Sequence, residues 1–176
     1  VLDRWILARL HESLLEQTRA MEAYDLQGAA RVLQAFTTDL STWYVRRSRE
    51  RMKEEGENRA HALATFKEVL LTFSKMTAPF TPFLAEMVYQ RAGGNLESVH
   101  LEEWPIVDQA LIDEKVLEEM GRTRSIVSKA LERRSDAGIN VRQALGGMTV
   151  TVPTGEFALE YQKLVKDEIN VKSIEV

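Results

Sequence analysis

The 176 residues contain no cysteine. That excludes a disulfide scaffold, a thiolate metal site and a cysteine nucleophile. Histidine is scarce: His11, His61 and His100 lie far apart in the chain, which argues against a histidine-rich metal centre. No apolar run approaches the roughly 20 residues that span a bilayer, and no signal peptide opens the chain. The expectation is therefore no membrane partner and a cytoplasmic location. No glycine-rich phosphate loop follows a strand, and no Ser/His/Asp or paired-carboxylate arrangement stands out. There is no internal repeat and no low-complexity segment. What is present is ordinary for a globular chain: 44% hydrophobic and 28% charged residues, too apolar for disorder and long enough to bury a core without staples. The length suits one domain, or one domain with a small appendage. The chain begins Val1-Leu2-Asp3 inside a helical pattern and without Met, which reads as an excised fragment.

The net charge of −4 hides an uneven distribution. Residues 1–92 hold 13 Lys and Arg against 12 Asp and Glu; residues 93–121 hold 1 against 8. Residues 122–142 hold 6 against 2, and residues 143–176 hold 3 against 5. Two basic clusters emerge: Arg46, Arg47, Arg49, Arg51 and Lys53, then Arg122, Arg124, Lys129, Arg133, Arg134 and Arg142. Each reads either as a solvated helix face with Glu partners or as the local footprint of a nucleic-acid site.

Helical spacing of Ile6, Leu7, Leu10, Leu14, Thr18 and Met21 predicts a helix over 3–22, with Asp3 as its N-cap. Asp25 caps a second helix running to about Glu55, roughly 45 Å long at 1.5 Å per residue. Gly56 and Asn58 end it. A third helix spans about 59–77, with Leu63, Phe66, Leu70 and Phe73 as its inward stripe. A fourth starts at Thr81, the expected N-cap, with Pro82 in the first helical position where its missing N–H costs nothing, and stops at Gly93-Gly94. Four amphipathic helices with short connections argue for an antiparallel bundle. Ser98 to Pro105 reads as an extended strap with Val99, Leu101 and Trp104 apolar, and a fifth helix occupies about 113–135. A strand over Met148–Val152, a helix over 156–168 and a strand over 171–176 then form a small α/β unit. Two strands alone are marginal, so further strands are expected beyond Val176. The predicted class is mainly α: a helical bundle over 1–136 followed by a truncated α/β subdomain over 137–176.

The second helix carries the functional signal. At about 100° per residue, Leu33, Phe36, Leu40, Trp43 and Tyr44 define a buried face, and Arg47 and Arg51 fall on the same stripe. Buried arginine is rare unless paired, so either the helix outruns the bundle there or these two pair with acids such as Glu50 and Glu54. Arg46, Arg49 and Lys53 lie on another face and form a cationic strip suited to phosphates, because a guanidinium grips phosphate in a fork. Trp43 and Tyr44 read as core aromatics, with stacking on an unpaired base as the alternative.

The string Trp43-Tyr44-Val45-Arg46-Arg47-Ser48-Arg49 resembles the anticodon-binding helical domain of isoleucyl-tRNA synthetases, which are class I aminoacyl-tRNA synthetases. It looks most like the type found in archaea, eukaryotes and some bacteria. Leu2-Asp3-Arg4-Trp5-Ile6-Leu7, Tyr24-Asp25-Leu26, the stretch from Ala78 to Glu86, Glu97-Ser98-Val99-His100-Leu101 with Trp104-Pro105, and the link from Ala137 to Gln143 resemble the same domain in the same order. The stretch from Ala78 to Glu86 is shared in looser form with valyl and leucyl enzymes. Ala144 departs from the family, which usually has Pro after Arg-Gln, and its presence loosens a turn.

The resemblance implies a domain that docks the anticodon stem-loop of the isoleucine tRNA, with no DNA partner. Arg46, Arg49 and Lys53 are the expected phosphate contacts, Arg47 and Arg51 weaker candidates, and Arg133 and Arg134 the next. Arg133, Arg134 and Arg142 also flank a helix end, whose carbonyls they suit. The resemblance further implies ATP and Mg2+ for the full-length enzyme, with catalytic and editing domains upstream in the same chain. The family's His-Ile-Gly-His-like and Lys-Met-Ser-Lys-Ser-like strings do not occur here, so no cofactor and no catalytic site are expected in this segment. Valyl or leucyl synthetase kinship, and a helical protein-interaction scaffold, are the alternatives. His11 and His61 sit at exposed helical phases and read as solvated; His100 reads as a hydrogen-bonded residue of the strap. The acidic stretch from Glu97 to Glu119 lacks ligand spacing and reads as solvated surface, or as a face that repels tRNA.

Overall fold

Tyr24 ends the first helix by taking a left-handed backbone (φ 58°), and Asp25 starts the second by accepting the Gly28 N–H on its carboxylate at 2.8 Å. A Cβ on Gly28 would lie 2.1 Å from Asp25 Oδ2, so a substituent there would push the capping carboxylate aside. The computed structural model describes residues 1–151 and 157–175. They form two compact units, Val1–Asp113 and Glu114–Val176.

The first unit holds α1 (Leu2–Glu22), α2 (Leu26–Thr38), a π-helical stretch (Asp39–Val45), α3 (Arg46–Lys53), α4 (Glu57–Thr77) and α5 (Pro82–Ala92). α1 packs on α2 and α4, and α4 on α3 and α5. Trp5, Ile6, Leu10 and Leu14 of α1 are buried against Leu33, Phe36, Leu40 and Tyr44 and against Ala62, Val69 and Met76. Each large side chain removed from water stabilises the fold by about 2 kcal/mol. The Phe36 and Phe73 rings lie 5.0 Å apart.

Several expectations are corrected. Asp3 does not cap α1, which begins at Leu2; its carboxylate turns to α3 instead. Of the predicted α4 stripe Leu63 is exposed and Phe66, Leu70 and Phe73 are half-buried, Phe66 and Phe73 against the Tyr44 and Phe36 rings; the fully buried positions are Ala62, Val69, Ser74 and Met76. Thr81 makes no side-chain cap. Its hydroxyl donates back to Thr77 O at 3.4 Å. The strap is not extended throughout: Val99–Leu101 and Gln109–Leu111 are 3₁₀ turns. Ser98 Oγ and the Val99 N–H both donate to Glu86 Oε2 at 2.9 Å. Of the three apolar strap residues only Val99 is buried; Leu101 and Trp104 are exposed. His11 is buried rather than solvated, because its Nδ1 accepts the Asp108 N–H at 3.1 Å and so ties the strap to α1.

The second unit holds α6 (Glu114–Asp136), β1 (Leu145–Thr149), α7 (Leu159–Ile169) and β2 (Val171–Glu175). β1 and β2 pair in parallel, Leu145 opposite Val171 and Thr149 opposite Glu175. Parallel partners need a crossover, and α7 supplies it, burying Tyr161, Leu164, Val165 and Ile169. Asn170 then takes a left-handed turn (φ 53°) into β2. The strand predicted at Met148–Val152 lies earlier, because Gly146 and Gly147 carry no apolar signal yet fall within β1; Val152 lies outside the described residues. α6 packs on α7 and therefore folds with the C-terminal elements, whereas its sequence pattern groups it with the bundle.

Candidate nucleic-acid interface

The helix from Leu26 to Lys53 changes pitch midway. Thr37, Thr38, Ser41 and Thr42 each donate a side-chain hydroxyl to the carbonyl four residues back. Such bonding competes with the backbone ladder and bends helices, and here it accompanies the wider π turns of Asp39–Val45. The buried row runs Leu33, Phe36, Leu40, Tyr44 and Ser48. Steps of four residues overshoot a full α-turn; the π stretch absorbs the surplus rotation, so Ser48 rather than Arg47 lies inside. Arg9 of α1 braces this stretch by donating from Nε to the buried Asp39 carboxylate at 2.9 Å.

Beyond the π stretch, α3 presents its cations in two ways. Arg46, Arg49 and Lys53 are exposed. Arg46 Nε donates to Thr42 O at 2.8 Å, which lays its side chain back along the helix. Lys53 Nζ meets Glu50 at 2.8 Å, but the two side chains are 63% and 77% exposed. A pair that exposed is worth little, and Lys53 can leave it for a phosphate. The Lys53 hydrogen bond and charge hold the Glu50 carboxyl below its ordinary range. Arg47 is half-buried. Arg51 is engaged elsewhere: its Nη1 donates to Asp3 Oδ2 at 2.7 Å and its Nη2 to Asp3 Oδ1 at 2.5 Å. Its partner is thus on α1 and not, as the spacing suggested, Glu50 or Glu54. Tyr44, fully buried, donates its hydroxyl to Asp3 Oδ1 at 2.8 Å and belongs to the core; Trp43 is half-buried. Burial pushes the Tyr44 phenol well above its ordinary range, and the Asp3 carboxylate pushes it further.

The second basic cluster divides similarly. Arg133 is exposed. Arg134 is only 5% exposed, and its Nη2 donates to the carbonyls of Asn140 (3.0 Å), Val141 (3.3 Å) and Gln143. It clamps the turn that Ala144 in place of proline was expected to loosen; Gln143 N–H to Asn140 O at 3.0 Å closes the same turn. Lys129 and Arg133, one helical turn apart on α6, edge a groove of about 1110 Å3 whose floor includes Leu145, Val150, Ile169 and Val171. The sequence placed Lys129 in a basic cluster but gave no sign that it shares a groove with β1; the i, i+4 spacing to Arg133 was the available signal. His61 is exposed, 3.7 Å from Glu57, and the His100 side chain is exposed. Among the described residues no group of three or more His, Asp or Glu is placed to hold a metal ion, and no helix is long and apolar enough to cross a membrane.

A family model described as the anticodon-binding domain of tRNA ligase matches residues 3–148, from the start of α1 into β1. The isoleucine–tRNA ligase of Deinococcus radiodurans is 40% identical over 178 residues, 98% of this chain. That of Thermus thermophilus is 40% identical over 189 residues and that of Bacillus thuringiensis 39% over 180, each covering 99% of the chain. The chain spans only 16–18% of the length of these relatives.

Proposed function

Because this chain belongs to the anticodon-binding domains of tRNA ligases, we propose that its ligand is the anticodon stem-loop of an isoleucine tRNA, docked on the exposed cations of α3. The family match supports the class of RNA. The names of the relatives and the strings around Trp43 and Glu97 support isoleucine. The observation that carries the docking face is the outward placement of Arg46, Arg49 and Lys53 on one helix.

The division of labour follows from burial. Arg51 and Tyr44 hold α3 to α1 through Asp3 and fix the direction in which the ridge points. Arg46, Arg49 and Lys53 meet phosphates, releasing condensed counterions and setting register along the backbone without reading sequence. Arg47 stands beside them as a secondary contact and Arg133 as a contact on the second unit. Arg51 and Arg134, engaged inside the protein, act as framework. Amino-acid activation with ATP and Mg2+, transfer to the tRNA and editing are assigned to parts of the parent enzyme that this chain does not include.

The test compares fluorescence anisotropy of stem-loops carrying the isoleucine, valine and leucine anticodon loops at one fixed salt concentration. The isoleucine hairpin should bind tightest. Equal binding of all three reduces the site to a shape reader, tighter binding of either rival reassigns the tRNA, and failure to bind any of them removes RNA from the account.

A further inference from the structure

The groove of the second unit pairs an apolar floor with a cationic edge, and among the described residues its cations outnumber its acids. Arg122, Lys129, Arg133 and Arg134 line it against Glu132 and Asp136. Arg122 faces Glu118 and Glu119 at 3.7 and 3.4 Å, so its charge is locally met. Arg134 differs. It is 95% buried, and among the described residues it bonds only to carbonyl oxygens through Nη2, its Nε and Nη1 having no hydrogen-bond partner there. A buried guanidinium without a carboxylate leaves an uncompensated charge. Three backbone carbonyls offset part of it, and an anion brought to the groove would offset more. Lys129 and Arg133 stand exposed at the rim where that anion would arrive.

We propose that this groove is a second RNA subsite, which takes one unstacked nucleotide of the bound hairpin loop. Its phosphate lies between Lys129 and Arg133, and its base rests on Leu145, Val150 and Val171. The inference rests on the anticodon reading above and deepens it. Three observations favour a nucleotide over the other occupant an open strand edge admits, an added β-strand. The exposed rim cations Lys129 and Arg133 would be met by a phosphate, whereas a neutral strand offers them no counter-charge. The buried Arg134, whose guanidinium already serves three backbone carbonyls, adds a positive charge that favours a phosphate over a neutral peptide. The anticodon-domain match runs through α6 to Met148 and so includes the wall and the start of the floor. Proteins that read single strands combine these same elements, a cationic track for the backbone and an apolar surface for the base.

The experiment uses the hairpin with the isoleucine anticodon loop, carrying 4-thiouridine at each loop position in turn, and a blunt RNA duplex of equal length. On irradiation, one loop position should crosslink to peptides from α6 or β1, identified by mass spectrometry. Lys129→Ala with Arg133→Ala should weaken the hairpin about tenfold and cut the slope of log affinity against log salt by about 0.7, the value for one single-strand phosphate. The duplex should bind that variant as it binds the parent. Ser125→Trp removes no charge but fills the groove; it should abolish the crosslink with helicity by circular dichroism unchanged. The groove is overturned when crosslinks map elsewhere and both variants bind the hairpin like the parent. If Arg46→Ala with Arg49→Ala still weakens binding in that case, the anticodon reading stands and only the groove falls; a parent chain that binds no hairpin sinks both.

Discussion

Arg51, near the end of α3, closes a two-pronged ion pair on Asp3 in the first turn of α1, 48 residues earlier. The same carboxylate accepts the Tyr44 hydroxyl, and that hydroxyl lies 3.3 Å from Ala62 O on α4. One small acid thus joins three helices at the end of the bundle that carries the cationic ridge. The side chains are 21% and 26% exposed, so the pair is neither solvated enough to be negligible nor dry enough to be ruinous to bury.

That intermediate burial sets the size of the first prediction. A double-mutant cycle on Asp3→Ala and Arg51→Ala, read by urea unfolding, should give a coupling of about 1–2 kcal/mol, between the surface and buried ranges. Burial raises the Asp3 carboxyl, but the hydrogen bonds from Arg51 and Tyr44 outweigh it and hold it below its ordinary range. A carboxylate depressed by folding stabilises the protein above its unfolded value, and the gain is lost as pH falls through the folded one. Stability should therefore drop below about pH 4, and less steeply in Asp3→Asn. Identical acid profiles for the two proteins would show that Asp3 is not linked to folding.

The ridge yields a prediction separable from stability. Arg46→Ala with Arg49→Ala removes exposed side chains, so unfolding free energy should change by no more than about 0.5 kcal/mol for each. The salt dependence of RNA binding should flatten by about one unit of slope per lost phosphate contact. Filter binding from low to moderate salt checks both affinity and slope. An unaltered slope would take these two residues out of the interface.

Helix positions and the apolar face of α2 were legible because amphipathic spacing reports which side meets the core. The phase of the cations was less so. Uniform rotation put Arg47 and Arg51 on the inner stripe; across the π stretch, which accompanies a run of Thr and Ser that the spacing does not register, Ser48 becomes the buried residue and Arg47 is half-buried, while Arg51 does turn inward, onto Asp3. Pairing was misassigned for a related reason: i, i+4 rules see Glu50 and Glu54, while the partner of Arg51 came from a different helix. Local patterns carry nothing about such long-range contacts. His11 was placed outside by its helical phase, which was blind to a strap arriving nearly a hundred residues later. The groove on α6 was invisible because it needs β1, whose glycines pair through backbone alone.

His11 makes the strap sensitive to mild acid. Burial lowers the affinity of its ring for a proton, while Asp108 and Glu68 act weakly in the opposite sense. The Asp108 N–H needs an unprotonated Nδ1 to donate to. A histidine whose folded value is depressed takes its proton first in the unfolded chain, so folding loses stability as pH falls below the ordinary value near 6.5. The urea midpoint should fall between pH 7.5 and 5.5, and hydrogen exchange at the Asp108 amide should quicken with it. His11→Gln retains a side-chain acceptor without titrating, and should show a flat midpoint over that range.

Adjacent arginines on α6 should respond in opposite ways. Arg134 is buried and serves three carbonyls of one turn, so Arg134→Leu leaves those oxygens without a donor in a place water reaches poorly. Hydrogen bonds to a charged group contribute about 1.5–3 kcal/mol, and the unmet carbonyls add a desolvation cost. Against this, two of the Arg134 nitrogens are themselves unpartnered, and leucine relieves that cost. The balance should be a loss of about 2 kcal/mol, with exchange quickening first at Ile139, whose N–H donates to Arg134 O at 2.8 Å at the end of α6, and at Gln143, whose N–H closes the clamped turn. Arg134→Lys keeps the charge but not the fork, and should recover only part of the loss. Arg133→Ala, at an exposed site, should unfold like the parent and lose RNA affinity instead. If Arg134→Leu proves as stable as the parent and its turn exchanges no faster, the carbonyl clamp contributes nothing and Arg134 must be counted with the contacts rather than the framework.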